Sequence, residues 1–360
     1  MMREYPKIGD FCINGNNIYI TDREYNFIGV LDKDSDVVDL KCVIDEEEPF
    51  KSWLFGEYFI FDNKIFIPPL KATKLYMINE NDDSVKSLEF LEDEIIRDVK
   101  VRFSQAHLFG DSLFLIPTCY PAIVEINLKS KDIWFFDSWK DVVNQIGRKD
   151  EVAYFSRTIL HKNIIYAPLC KTDKVLKFYL NDRTWEIVTV DDQDVGYCDI
   201  CSDDKVFWLL PRMGNRITWW NENDKQCGYI EGIWDEKTYL KQIEWWNNKL
   251  WIVPLTRGSV AVIEDGSTVK DVGIVGSNCV IRVQEDAMYI STCEDGALYR
   301  LDINGGSQRK LKLSTKIIKC YNYYASDIYS YLKGKTSNSL FKETEINSLE
   351  NFIKGVLKMS

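Results

Sequence analysis

Short apolar runs of four or five residues, parted by polar turns, recur along most of this chain. In Asp111–Phe136, DSLFLIPTCYPAIVEINLKSKDIWFF, the runs are Leu113–Ile116, Ala122–Ile126 and Ile133–Phe136. A proline corner, Pro117–Pro121, separates the first two, and a polar turn, Asn127–Asp132, separates the second two. Runs this short, bounded by Pro, Asn and Asp, predict strands and not helices.

The pattern repeats. The matching second strands are Ile18–Asp22, Ile65–Pro69, Leu113–Pro117, Ile164–Pro168, Phe207–Pro211, Leu250–Pro254 and Met288–Thr292. Their ends fall at residues 22, 69, 117, 168, 211, 254 and 292, so the period runs 47, 48, 51, 43, 43 and 38 residues. Spacings of about 40–50 residues mark four-stranded propeller blades. Each unit has a small polar turn before its second strand, such as Asp62-Asn63, Gly110-Asp111 or Asn247-Asn248. Each third strand ends near an Asn or Asp (Asp32, Asn79, Asn127, Asn181, Asn221, Asp265, Asp302), whose side chain can bond turn backbone. Trp134 and Trp185 hold the same place in the fourth strands of units three and four. Proline at a strand end costs no ladder hydrogen bond.

The expected fold is all-β: a seven-bladed β-propeller of four-stranded antiparallel blades, with a short C-terminal amphipathic helix. The propeller is expected over residues 1–315, with blades at about 9–42, 53–90, 103–137, 154–190, 197–230, 239–272 and 278–313. No helical period or Gly-rich βα turn precedes residue 340, which argues against a two-domain α/β protein. Ser138–Asp150 is long enough for a helical turn between blades three and four, and Leu91–Arg102 reads as a charged crossover. Residues 316–360 are expected to pack on the propeller as a Tyr-rich segment and a helix. In Thr344–Met359, Leu349, Phe352, Ile353, Val356 and Leu357 share one helical face. Lys316–Cys320 is a candidate strand for closing the ring onto blade one.

The order in Ile164–Val188, IIYAPLCKTDKVLKFYLNDRTWEIV, resembles the Kelch-type propeller repeat: apolar strand, corner, aromatic-bearing strand, Asn/Asp turn and Trp strand. The resemblance extends over roughly residues 9–313, with the glycine pair of the Kelch corner replaced by proline and its neighbour. It implies a propeller, and propellers of this kind serve as binding platforms and less often as enzymes.

A net charge of −11 argues against nucleic acid and anionic membrane as partners. Ten cysteines without regular spacing, no apolar run long enough for a signal peptide in MMREYPKIGDFCING and no membrane-length stretch give a cytoplasmic expectation. No phosphate-binding glycine loop, zinc-protease helix, nucleophile elbow or calcium loop is present, and no cofactor or metal is expected. Cys198 and Cys201 form C-x-x-C within a strand, where side chains three apart point to opposite faces. Cys119 and Cys170 each follow a corner proline by two residues and would lie close together.

In a propeller the second-to-third-strand corners and the blade crossovers share one face. Corners two to six carry Lys71, Lys74, Lys171, Lys174, Arg212, Arg216 and Arg257 against one acid, Asp173, while the opposite turns are rich in Asp and Glu. Converging cations attract anions, and Arg grips carboxylate or phosphate with two bonds. Tyr120, in the one corner of these five without a cation, would add a stacking surface. Along the first strands runs a polar row (Asp10, Glu57, Gln105, Ser156, Asp199, Gln242, Val280), and two residues on another (Cys12, Phe59, His107, Thr158, Cys201, Glu244, Arg282). The row between them is apolar except for Arg157. This alternation suggests a wet central channel.

The favoured reading is a non-catalytic binding or scaffold propeller. Its basic corner face, with Arg157 and Arg282 near the channel, would recognise an anionic small molecule, a glycan or an acidic protein segment. The alternative is a propeller lyase or hydrolase acting on an anionic glycoside or modified peptide. His107, one of two histidines, would be its general base, beside Glu57 and Glu244. His161 is expected to be a solvated turn residue on the opposite face.

Overall fold

The computed structural model describes residues 4–90, 99, 101–191, 196–264, 268–284, 286–302 and 305–322. Seven antiparallel sheets form a ring of blades: Ile8–Val43, Phe59–Leu88, Phe103–Phe136, Ile159–Thr189, Tyr197–Glu231, Leu240–Gly276 and Val280–Lys310. Each sheet runs from an inner strand at the axis to an outer strand at the rim, in sequence order.

The turn chemistry expected from the sequence builds the hairpins. Asp62 and Asn63, and Asn247 and Asn248, take φ values of 51° and 54°, and 51° and 55°, the left-handed pair that a tight hairpin needs. At the third-to-fourth-strand turns, Asn127 Oδ1 accepts the N–H groups of Lys129 and Ser130 at 2.9 Å. Asn79 and Asn221 bond the residue two further on in the same way. Five second strands end at or beside a corner proline. The two that lack one use side chains: Asp22 accepts the N–H groups of Lys7 and Glu24 at 3.0 and 2.9 Å, and the Thr292 hydroxyl bonds Asp295. Crossovers then hug the corners, as where Arg102 N–H donates to Leu70 O and Tyr197 N–H to Leu169 O. At Gly196 a Cβ would lie 2.0 Å from the Cys170 carbonyl, so this approach admits only glycine.

The core lies between blades, not within one. Phe114 and Ile116 of blade three pack on Ile165, Leu176 and Phe178 of blade four. Residues buried on both sheet faces explain the continuous runs such as Leu113–Ile116. The insertion between these blades holds the helix Lys140–Ile146, anchored by Trp139 and Val143, both fully buried.

Ring closure differs from the expectation. Lys312–Leu313 pairs in parallel with Val37–Val38, adding a fifth strand to the outer edge of blade one. Lys316–Cys320 instead lies in a helix over residues 315–322. The reason is periodicity: Ile317 and Tyr321, four apart, are both buried against blade one. The Tyr321 ring packs on Tyr25, Phe27 and Phe50, and its hydroxyl donates to Asn26 Oδ1 at 2.5 Å. The amphipathic segment 344–359 lies outside the described residues. Among the described residues, no helix is long and apolar enough to cross a membrane.

Tyr321 thus clasps the end of the ring to its beginning. Tyr321→Ala is expected to lower stability in urea unfolding by about 3–4 kcal/mol, as for other buried aromatics. Tyr321→Phe, which removes only the hydroxyl, is expected to cost about 1–2 kcal/mol. Unchanged unfolding midpoints in both would show that the clasp contributes nothing.

Candidate functional site

Among the described residues the inner strands of neighbouring blades share no ladder beyond isolated backbone bonds such as Arg157 N–H to Cys198 O, so their edges use other partners. The polar row supplies several. Gln105 Oε1 accepts the Thr158 N–H at 2.7 Å, Asp199 Oδ2 accepts the Ile243 N–H at 2.8 Å, and Gln242 Oε1 accepts the Ile281 N–H at 2.9 Å. Each bond runs from one blade to the side chain of the blade before it. Gln242 also donates to Ile281 O at 3.0 Å. The row that suggested a wet wall is therefore in good part a set of blade-to-blade staples.

At the axis these staples merge into a chain of charges, Asp10–Arg282–Glu57–Arg157–Asp199. Arg282 reaches Asp10 at 2.5 Å and Glu57 at 3.2 Å, and donates to Phe11 O at 3.0 Å. Arg157 reaches Glu57 at 2.5 Å and Asp199 at 3.2 Å. Glu57, from blade two, so bridges blades four and seven across the centre. Burial would push its carboxyl up, but Arg157 and Arg282 hold it down at about 2. Burial raises Asp199 to about 6, opposed by Arg157 and the N–H groups of Ile243 and Ile200. Asp10 is also raised by burial, with Arg282 opposing.

Three more ionisable groups face this chain. Burial lowers His107 to about 4, against the pull of Glu57, so the imidazole is neutral at pH 7. Its Nε2 lies 2.6 Å from the Thr158 hydroxyl. Burial lowers the Lys241 amine to about 8, opposed by Asp10, and the amine donates to Asn278 Oδ1 at 2.8 Å. Glu244 is raised to about 7, first by burial and then by Asp199. Glu244 has no hydrogen bond or ion pair among the described residues, and its side chain is only half-buried. A carboxyl with that poise can give or take a proton near neutrality.

The structure thus gathers His107, Glu57, Glu244, Arg157 and Arg282 at one place. The corner cations do not converge in the same way. Lys74 pairs with Glu46 at 2.5 Å and Glu89 at 2.6 Å, Lys174 with Asp173 at 3.0 Å, and Arg212 with Glu151. Lys171 is buried, with its amine 4.9 Å from the Tyr154 ring centre and 3.3 Å from Asn144 Oδ1. Arg216 lies 3.8 Å over the Tyr229 ring. Tyr120 offers no stacking surface: it is 1% exposed, with its ring 4.8 Å from that of Phe103 in the core between blades two and three. A tyrosine beside a proline corner serves there as an apolar wedge.

Lys71 and Arg257 make no ion pair among the described residues, and Arg257 is exposed. Lys71 has cations for company, its amine lowered by burial and then by Lys51 and Arg23. Arg23 lies 4.6 Å over the Trp53 ring and pairs with Glu294 at 3.0 Å. Trp53 itself has φ 61°, a left-handed conformation costly for a bulky residue and often found at binding sites. Sequence reasoning missed Arg23, Lys51 and Trp53 because they come from the corner and crossover of blade one, outside the corners counted. It also missed the pairing acids Glu46, Glu89 and Glu151, which lie in crossovers, strand ends and the insertion.

None of the ten cysteines is in a disulfide. Cys198 and Cys201 are buried, and the Cys198 thiol contacts Pro211 O and Leu240 O at 3.3 and 3.4 Å. Cys170 lies in the corner beneath Arg212, 3.9 Å from its guanidinium, and Cys119 is close enough to raise its thiol slightly, after the larger effect of burial. His161 ends the inner strand of blade four and stands edge-on to Phe207 at 5.6 Å, in place of a fully solvated turn. Among the described residues no group of three His, Cys, Asp or Glu side chains is placed to hold a metal ion.

No protein-family model and no curated sequence matches the chain. Solved structures do. Virginiamycin B lyase from Staphylococcus aureus is similar with a TM-score of 0.61 and 11% identity, over 81% of this chain and 92% of that one. YCF48 bound to the D1 peptide gives 0.57 and 10% over 80% and 90%, and Kluyveromyces lactis Hsv2 gives 0.53 and 8% over 85% and 98%. At such identities the likeness establishes the propeller fold.

The axial site makes a pH prediction. The folded-state pKa of Glu244, about 7, lies above its ordinary value of 4.5. The folded state therefore holds this proton more tightly, and the stability linked to it is complete below about pH 4.5 and lost as pH rises through 7. Glu244→Gln is expected to be more stable than the unsubstituted protein by about 2 kcal/mol at pH 8 and equal to it at pH 4. Urea unfolding across this range checks it; parallel pH profiles would refute it.

Proposed function

We propose that this protein is a binding propeller that recognises an anionic ligand or an acidic segment of a partner on its corner face. The observation that carries the reading is the grouping of Arg23, Lys51 and Lys71 beside Trp53. The charges felt by the Lys71 amine are Lys51 and Arg23, in a protein of net charge −11. Lys51 and Lys71 make no ion pair among the described residues, and like charges held together are a cost to the free protein that a bound anion relieves. Arg23, already stacked on an indole, offers a preordered guanidinium. Arg257 adds a further exposed cation on the same face. Ten cysteines without a disulfide suit a reducing, cytoplasmic setting. The Kelch-like character of the repeat, with proline for the glycine pair, belongs to the same proposal.

One observation favours an enzyme instead. Glu244 is a partnerless carboxyl poised near neutrality, beside Arg157 and Arg282, and a propeller lyase is among the structural neighbours. In that reading Glu244, and not His107, is the stronger candidate for proton transfer, because the His107 imidazole is a weak base tied to Thr158. Against it, Arg157 and Arg282 are both engaged by internal carboxylates.

A thermal-shift screen of phosphorylated, sulfated and carboxylated small molecules and a glutamate-rich peptide, at low and high salt, separates these readings. A ligand at a hundredfold excess over its Kd should stabilise the fold by about 2–3 kcal/mol. The binding reading expects a shift that weakens with salt, disappears in Lys51→Glu/Lys71→Glu, and leaves the ligand chemically unchanged by mass spectrometry. A shift that persists in that variant refutes the corner site. Conversion of the ligand that stops in Glu244→Gln establishes the enzyme.

A further inference from the structure

On the face opposite the corners, blades two and three leave between them a groove of about 890 Å³. There the core between the two blades is only partly covered. Phe66 is buried in that core, while Met77, Leu88 and Leu128 are only half-buried and Phe61 is 37% exposed. All five line the groove.

The rim is basic. Lys64, Lys86, Lys129 and Lys131 surround the apolar floor, against Asp62 and Asp111. Lys64 pairs with Asp62 at 3.3 Å and Lys129 with Asp111 at 2.8 Å. Lys86 and Lys131 are exposed and make no ion pair among the described residues. An apolar floor under a positive rim, on an acidic protein, is a specific complement.

We propose that this groove docks an acidic amphipathic helix of a partner protein, its apolar stripe on Phe61, Met77 and Leu128 and its carboxylates on Lys86 and Lys131. An amphipathic helix laid in a hydrophobic groove is an established recognition mode, read by apolar anchors on one face. Charge decides between occupants. The chain's own amphipathic segment 344–359 carries Glu345 and Glu350 against Lys354 and Lys358 and is neutral overall. It matches the floor but not the rim, whereas an acidic helix matches both.

The test is fluorescence anisotropy on the full chain with three labelled peptides. One is an amphipathic helix with Leu and Phe on one face and Glu on the other, the second carries Lys for Glu, and the third is the segment 344–359. The acidic peptide should bind, more weakly at high salt. Its Kd should rise about tenfold in Lys86→Glu/Lys131→Glu and in Phe61→Asp. These exposed sites leave the fold intact, which circular dichroism and the thermal midpoint verify. Affinity should be unchanged in Lys51→Glu/Lys71→Glu, which separates this groove from the corner site. Failure of the acidic peptide to bind overturns the proposal, as does retained affinity in the groove variants. Equal or tighter binding of the lysine peptide or of segment 344–359 overturns the acidic partner.

Discussion

The bridge from Glu57 to Arg157 and Arg282 is the interaction on which the ring depends. At the axis the inner strands meet through isolated backbone bonds, such as Arg157 N–H to Cys198 O and Glu57 N–H to Ser104 O, and otherwise through side chains. Here a carboxylate of blade two holds guanidiniums from blades four and seven, which in turn hold Asp199 of blade five and Asp10 of blade one. Five of the seven blades are tied by one chain of charges. Buried ions are costly unless each is matched, and breaking one pair leaves the others exposed to that cost. The uncharged bonds of Gln105 and Gln242 extend the same stapling around the rest of the axis.

This pairing also redirects the search for function. Arg157 and Arg282 look like ligand-binding cations when read singly, yet their donors are already directed at internal acceptors. At the axis Glu244 has no partner among the described residues, while Lys51 and Lys71 at the corner between blades one and two make no ion pair. Axis and corner therefore differ in what they leave unmatched: a carboxyl at one, lysines at the other. The tertiary pairing pattern, more than the count of charges, separates them.

Much of the fold was legible because its determinants are local. Asn and Asp at the hairpin and third-to-fourth-strand turns, and proline at the second-strand ends, act within a few residues of where they stand, so their recurrence announced seven blades. Of the axial residues, His107, Glu244 and Arg282 share one offset along equivalent strands, whereas Glu57 and Arg157 stand at other offsets and join them through ion pairs. Tyr120 was misread because burial of a corner side chain depends on the neighbouring blade. Lys316–Cys320 was misread because a short apolar segment suits strand or helix until its packing surface is known.

By itself, then, the sequence determined the number of blades, the order of their strands, the positions of their turns and which residues face the axis. These follow from backbone preferences and from a side-chain period of two. Only the tertiary structure decided which charges are matched, because Glu57 and Arg157 are 100 residues apart and Arg212 and Glu151 are 61 apart. It alone decided that the ring closes through Lys312–Leu313 and Tyr321, and that the core between blades two and three is left partly open. Pairing and covering are relations between distant segments, and no local pattern of residues encodes them.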